Sequence, residues 1–158
     1  MNAIRLPRPI VNQLLHLAQK SPDEEICGLI SRDRSGFRNC YPVPNQAGDR
    51  KRFFALDPKA QIDAMRVMRE RGEELAAIFH SHPDSPPLPS LADVEQHEYP
   101  AVLYLIISLG TKGVLEMRGF RIHGHSTTIA LERAFWSVLE DMGRESGLAL
   151  PRLIERIH

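Results

Sequence analysis

The sequence predicts an α/β fold built on a mixed β-sheet, and three observations carry that expectation. Stretches with helical apolar spacing alternate with short strand-like runs along 158 residues, long enough for one substantial core. Several neighbouring strand candidates are separated only by turns, which antiparallel pairs allow and parallel pairs do not. The continuous apolar run Val102–Leu109 fits a central strand covered on both faces.

Ile10, Val11, Leu14, Leu15, Leu17 and Ala18 fall at helical spacing over residues 8 to 19, and Ser21-Pro22-Asp23 ends that helix. Glu25–Ser31 (EICGLIS) reads as a mostly buried strand, and Phe37–Val43 as a second strand after the Gly36 turn. Phe53–Leu56 is a third, short candidate. Asp57-Pro58 has the form of an N-cap followed by proline at the first helical position. The helix it opens runs to about Arg71 and stops at Gly72, with Ile62, Met65 and Met68 or Arg69 near one face. Leu75–His80 follows as an apolar strand, and Ser90 caps a short helix with Asp93 at its third position. After the 102–109 strand, Gly110 to Gly113 turn the chain into a strand over Val114–Ile122. Leu131, Ala134, Phe135, Val138, Leu139 and Met142 form a helical stripe of core character, and residues 147–158 close with a turn or two of helix.

The chain reads as one domain over residues 1–158, with no internal repeat, low-complexity tract or linker. Its net charge is zero, with 20 Lys and Arg against 20 Asp and Glu. That balance argues against a nucleic-acid binder working through a basic surface, and the Asp49-Arg50-Lys51-Arg52 cluster reads as a solvated loop. The start, MNAIRLPRPI, shows no signal peptide, and no apolar run is long enough to span a bilayer, so no membrane partner is expected. Two cysteines, Cys27 and Cys40, form no CxxC pair, which fits a reducing cytoplasm.

The chemistry concentrates in residues 80 to 93, HSHPDSPPLPSLAD. Residues two apart on a strand share a face, so His80 and His82 can present both imidazoles to one point. Zinc is commonly held by histidine nitrogens and carboxylate oxygens, with one position kept for water in catalytic sites. Asp93 is the natural third ligand: it sits on the first turn of a helix, and the prolines between stiffen the loop that returns it to the histidines. Such a site needs a proton acceptor, and no HExxH places one. Glu25, heading a buried strand, is the best placed carboxylate, with Glu24 the alternative. His123-Gly124-His125 repeats the spacing without a carboxylate nearby and reads as a surface loop. The H-x-E and P-C-x-x-C elements of nucleobase deaminases are absent.

Glu25…His80-Ser81-His82-Pro83…Ser90-Leu91-Ala92-Asp93 resembles the JAMM (MPN-plus) metalloprotease motif: a glutamate, then HxHP, six residues, a serine, two residues and an aspartate. Glu-Ile-Cys-Gly-Leu-Ile is similar to the stretch that carries the family's catalytic glutamate, which favours Glu25 over Glu24. The likeness covers roughly residues 8 to 122; residues 126–158 stand outside it as an unassigned, helical C-terminal extension. One departure, Ser31 where many relatives have glycine, bears on turn geometry. The resemblance implies a deaminase-like three-layer sandwich, a curved mixed sheet flanked by helices. It implies one zinc per chain on His80, His82 and Asp93, with Glu25 taking the proton of a zinc-bound water and Ser90 stabilising the oxyanion. It also implies hydrolysis of a peptide or isopeptide bond at the C-terminal tail of a ubiquitin-like or small sulfur-carrier protein, for example trimming one residue after a diglycine. Removal of a ubiquitin-like tag, hydrolysis of short peptides, and a non-catalytic MPN-type scaffold are the other readings. Ser90 also serves as a plain helix cap, and the two roles are compatible.

Overall fold

In a computed structural model of the chain, residues 5–96, 99, 102–110 and 116–121 are described. Their helices and strands follow the apolar pattern. Helix α1 (Arg8–Lys20) buries Ile10, Val11, Leu14 and Ala18. Strands β1 (Cys27–Asp33) and β2 (Gly36–Val43) form a hairpin, and helix α2 (Pro58–Glu70) leads into β3 (Glu74–His82). The short α3 (Leu91–Gln96), then β4 (Leu103–Ser108) and β5 (Glu116–Phe120), complete the order.

The five strands form one sheet in the order β2-β1-β3-β4-β5. Only the β3–β4 pair is parallel; the other three are antiparallel, so the sheet is mixed as predicted. Period-two alternation divides its side chains between two cores. Ile30, Ala77, Phe79, Leu103, Leu105, Ile107 and Met117 meet α1 on one face. Leu29, Ile78 and Tyr104 meet Ala64 and Met68 of α2 on the other. His80 and His82 share this second face with Ile78.

Asp57 caps α2, its Oδ2 accepting from the Ala60 amide at 2.9 Å, and Gly72, at φ +72°, provides the left-handed turn that ends it. The expected face of α2 is rotated. Ala64 and Met68 are buried, whereas Ile62 is 64% exposed. Alanines at 60 and 64 let the helix lie close to the sheet, and that places Ile62 outside the contact.

Four further expectations are corrected. β1 begins at Cys27, so Glu25 lies two residues before the ladder rather than in it. β3 runs on to His82, because parallel pairing with β4 continues through His80↔Ile106 and His82↔Ser108. Phe53–Leu56 makes no strand: its one bridge is Leu56 to Asn45, and the Asn45 side chain takes the Ala55 amide that a ladder would use. Ser31 is not at a turn but inside β1, at a register shift, where its buried hydroxyl donates to Glu73 at 2.6 Å. His123, His125 and the stripe from Leu131 to Met142 lie outside the described residues. Among the described residues, no helix is long and apolar enough to cross a membrane.

Candidate metal and catalytic site

Strand pairing alone brings the distant parts of the motif together. β1 and β3 are antiparallel with Cys27 opposite His80, which sets Glu25 beside the end of β3. Ser81 fastens the two: its amide donates to the Ile26 carbonyl at 3.0 Å, and its hydroxyl accepts from the Ile26 amide at 2.8 Å. Gly28 allows this close layering. A Cβ there would stand 2.4 Å from Phe79 Cζ and 2.5 Å from the Tyr41 carbonyl oxygen.

His80, His82 and Asp93 converge. His80 Nε2 lies 3.1 Å from His82 Nε2 and 3.1 Å from Asp93 Oδ2, and His82 Nε2 lies 3.3 Å from the same oxygen. Glu25, His80 and His82 also each bring a ligand-capable atom within 4.8 Å of the others. Both histidines and Glu25 are buried. Donors held about 2.0–2.2 Å from a tetrahedral ion stand about 3.3 Å apart, so the first triangle has the size a metal ion requires. The buried donor set of two imidazoles and a carboxylate suits a divalent ion, and the residues present therefore fit the group that the motif implies.

Several contacts orient these donors. His82 Nδ1 lies 2.8 Å from the Pro86 carbonyl. A carbonyl only accepts, so Nδ1 carries a proton and Nε2 is the nitrogen that can serve as a ligand. Ser108 Oγ donates to the Ser85 carbonyl at 2.6 Å and holds the loop that presents Pro86. Phe54 stacks on the His80 ring with centroids 4.3 Å apart and planes at 19°. Ser90 and Asp93 form a reciprocal cap: the Asp93 amide donates to Ser90 Oγ at 3.0 Å, and the Ser90 amide donates to Asp93 Oδ2 at 2.8 Å.

The electrostatics divide the two carboxyl groups. Burial drives Glu25 up to about 8; His82 pulls it back, and Asp93 and Asp49 push it further up. Burial would raise Asp93 too, but hydrogen bonds from His80 and His82 outweigh it and hold the carboxyl well below the usual range. His80 is lowered, chiefly by its complete burial. Burial opposes protonation of His82 as well, yet the Asp93 and Pro86 hydrogen bonds leave its pKa raised. Cys27, on the same face as His80, is pushed up to about 12 by burial and by Glu25, and its thiol donates to the Val43 carbonyl at 3.3 Å. It is a thiol and not a thiolate near neutral pH.

Glu25 Oε1 is buried and has no hydrogen-bond partner among the described residues. Beside the cluster lies a cleft of about 540 Å³, lined by Phe53, Phe54, Leu56, Ile78, Tyr104 and Ile106, with Gln46 and Gln61 as polar members and His80 and Asp93 in its wall. The structure thus brings together Glu25, His80, His82 and Asp93, with Ser90 on the cap of α3. Glu24 turns out to the surface, where it pairs with Arg50 at 3.2 Å. Sequence reasoning missed Phe54, Pro86 and Ser108. Phe54 sits in an aromatic pair with the composition of a strand, and neither a backbone carbonyl nor a buried serine carries a sequence signal.

Comparison with known proteins places this site in a family. One match, to the family described as "Ribbon-helix-helix domain", covers residues 115–158, most of them outside the described residues. It shares residues 116–121 with the described chain, and of these 116–120 pair with β4 in the sheet. The chain is 31% identical over 93 residues to a desampylase of Haloferax volcanii, covering 58% of this chain and 67% of that protein. It is 34% identical over 110 residues to the "Probable TtuB-protein conjugate cleaving protease" of Thermus thermophilus, 69% and 71% of the two chains. A CysO-cysteine peptidase of Mycobacterium tuberculosis is 27% identical over 114 residues, 72% and 78%. The solution structure of protein DSY2949 from Desulfitobacterium hafniense superposes with a TM-score of 0.70 at 30% identity, covering 82% of this chain and 89% of that one. The family described as prokaryotic homologs of the JAB domain matches residues 7–123, from α1 through β5, and the chain belongs to that family.

Proposed function

We propose that this chain is a zinc-dependent peptidase or isopeptidase that cuts at the C-terminal tail of a ubiquitin-like or sulfur-carrier protein. The observation that carries the reading is the triangle of 3.1, 3.1 and 3.3 Å made by His80 Nε2, His82 Nε2 and Asp93 Oδ2. These three residues would hold the ion, and Glu25, which brings a carboxylate oxygen within 4.8 Å of both histidines, is assigned to proton transfer. Bound zinc supplies Lewis acidity, which makes water a nucleophile near neutral pH.

The chain's own residues do the rest. Glu25 Oε1 accepts the proton of the attacking water as oxygen bonds to the tail's last carbonyl carbon. Its burial favours the protonated acid that results, and the same oxygen then delivers that proton to the leaving amine as the C–N bond breaks. Ser90 Oγ, accepting from the Asp93 amide, keeps its own proton to donate to the carbonyl oxygen as negative charge gathers there. The cleft beside His80 and Asp93 takes the extended tail, with apolar walls excluding water and Gln46 and Gln61 available to main-chain groups.

The names of the relatives support this substrate class, one acting on a TtuB-protein conjugate and another on CysO-cysteine. The test is incubation with candidate carriers, either extended by one residue after a terminal diglycine or joined through it to a lysine side chain. The expected result is the mass of the freed carrier, lost on chelation. Carriers that stay intact in both forms overturn the substrate assignment.

A further inference from the structure

Glu25 has an unusual problem of placement. Its carboxylate is buried, and among the described residues Oε1 has no hydrogen-bond partner to aim it. The residue also precedes the first strand, so no ladder fixes its backbone. Beyond Ile26, which Ser81 ties to β3, its own main chain is held by two hydrogen bonds to a single loop. The Glu25 amide donates to the Arg50 carbonyl at 2.7 Å, and the Glu25 carbonyl accepts from Asn45 Nδ2 at 2.9 Å.

Asn45 also holds that loop closed. Its Nδ2 donates to the Phe53 carbonyl at 3.0 Å, while Oδ1 accepts from the amides of Ala47 and Ala55, both at 3.0 Å. Two backbone pairs finish the closure, Gln46 to Ala55 at 2.9 Å and Asp57 to Pro44 at 3.1 Å. The amide side chain thereby uses both donors and both acceptor positions, a full complement that no other side chain of its length reproduces. Aspartate keeps the acceptors and loses the donors; serine and alanine cannot reach across.

Resting on the reading of Glu25 as proton acceptor, we infer that Asn45 is a positioning residue for catalysis. It sets the Glu25 carboxylate against the scissile carbonyl by gripping the Glu25 main chain and the loop that supplies its other anchor. Misplacing a reacting group by about 1 Å costs on the order of 100-fold in rate, so a small shift of Glu25 suffices.

The test compares Asn45→Asp, Asn45→Ala and Glu25→Gln in zinc-loaded full-length protein. Both Asn45 variants lose about 100-fold in kcat with KM within about twofold. Combining either with Glu25→Gln lowers kcat no further than Glu25→Gln alone, because the two substitutions remove one function. A second readout needs no substrate. By amide exchange, Glu25 and residues 50–55 exchange at least about tenfold faster in Asn45→Asp, with β3 unchanged. Zinc affinity, by chelator competition, stays within about threefold of wild type, whereas a residue acting on the metal ligands would weaken it about 10- to 100-fold. Additive losses in the combined variants, or unchanged exchange at Glu25, overturn the inference. Wild-type protein inert on every carrier overturns the hydrolase reading itself, and the exchange data alone then decide whether Asn45 holds Glu25.

Discussion

Replacing Glu25 with glutamine should stabilise the metal-free protein, by an amount that grows with pH. Burial lifts this carboxyl from 4.5 to about 8 in the fold. Because the folded value lies above the unfolded one, the native state favours the neutral acid. That contribution is complete below pH 4.5, declines as pH rises, and is gone above about 8. Across the window each pH unit corresponds to about 1.4 kcal/mol, which gives about 3 kcal/mol at pH 7 and at most about 5 kcal/mol above pH 8. Glutamine has nearly the same size and never ionises, so it escapes the cost. Urea unfolding of both proteins in the presence of chelator, at intervals from pH 4.5 to 8.5, measures the difference. The curves should meet near pH 4.5 and separate steadily above it. A difference that does not change with pH, or a variant less stable than wild type at pH 7, refutes the argument, since either requires a carboxylate already ionised and paired in the fold.

Phe54→Leu removes the ring stacked on His80 while keeping most of the volume. Loss of an aromatic contact of about 0.5–1.5 kcal/mol predicts zinc binding weakened about 2- to 12-fold in chelator competition, and an unchanged Kd denies the ring a part in holding the imidazole. Gly28→Ala forces a methyl group against Phe79 and the Tyr41 carbonyl; a loss of about 1–3 kcal/mol, seen as a lowered Tm, is expected, and an unaffected Tm contradicts the strand packing described. Ser90→Ala removes a helix cap worth about 1 kcal/mol and should lower kcat about 100-fold with zinc retained. A kcat within about threefold of wild type confines Ser90 to capping.

The site was legible where its logic is local. His80 and His82 share a face because a strand repeats every two residues, and Ser90 and Asp93 meet because a capping box spans three. Asp57, Pro58 and Gly72 marked the ends of α2 for the same reason. What the sequence could not show depends on chain segments far apart. Glu25 reaches the histidines through the Cys27↔His80 register, and Asn45 binds four groups spread over residues 25 to 55. The Phe53–Leu56 segment has the apolar content of a strand, but a side-chain amide took its ladder partner. Ile62 follows a helical stripe, yet the alanines at 60 and 64 set which stripe lies on the sheet.

Two carboxylates, Glu25 and Asp93, stand within reach of the same pair of imidazoles and have different tasks in the proposed mechanism. Equilibrium zinc content against a competing chelator, measured for Glu25→Gln and Asp93→Ala, separates those tasks directly. One zinc per chain is expected in Glu25→Gln and almost none in Asp93→Ala. Zinc lost with Glu25 and kept without Asp93 would contradict that mechanism.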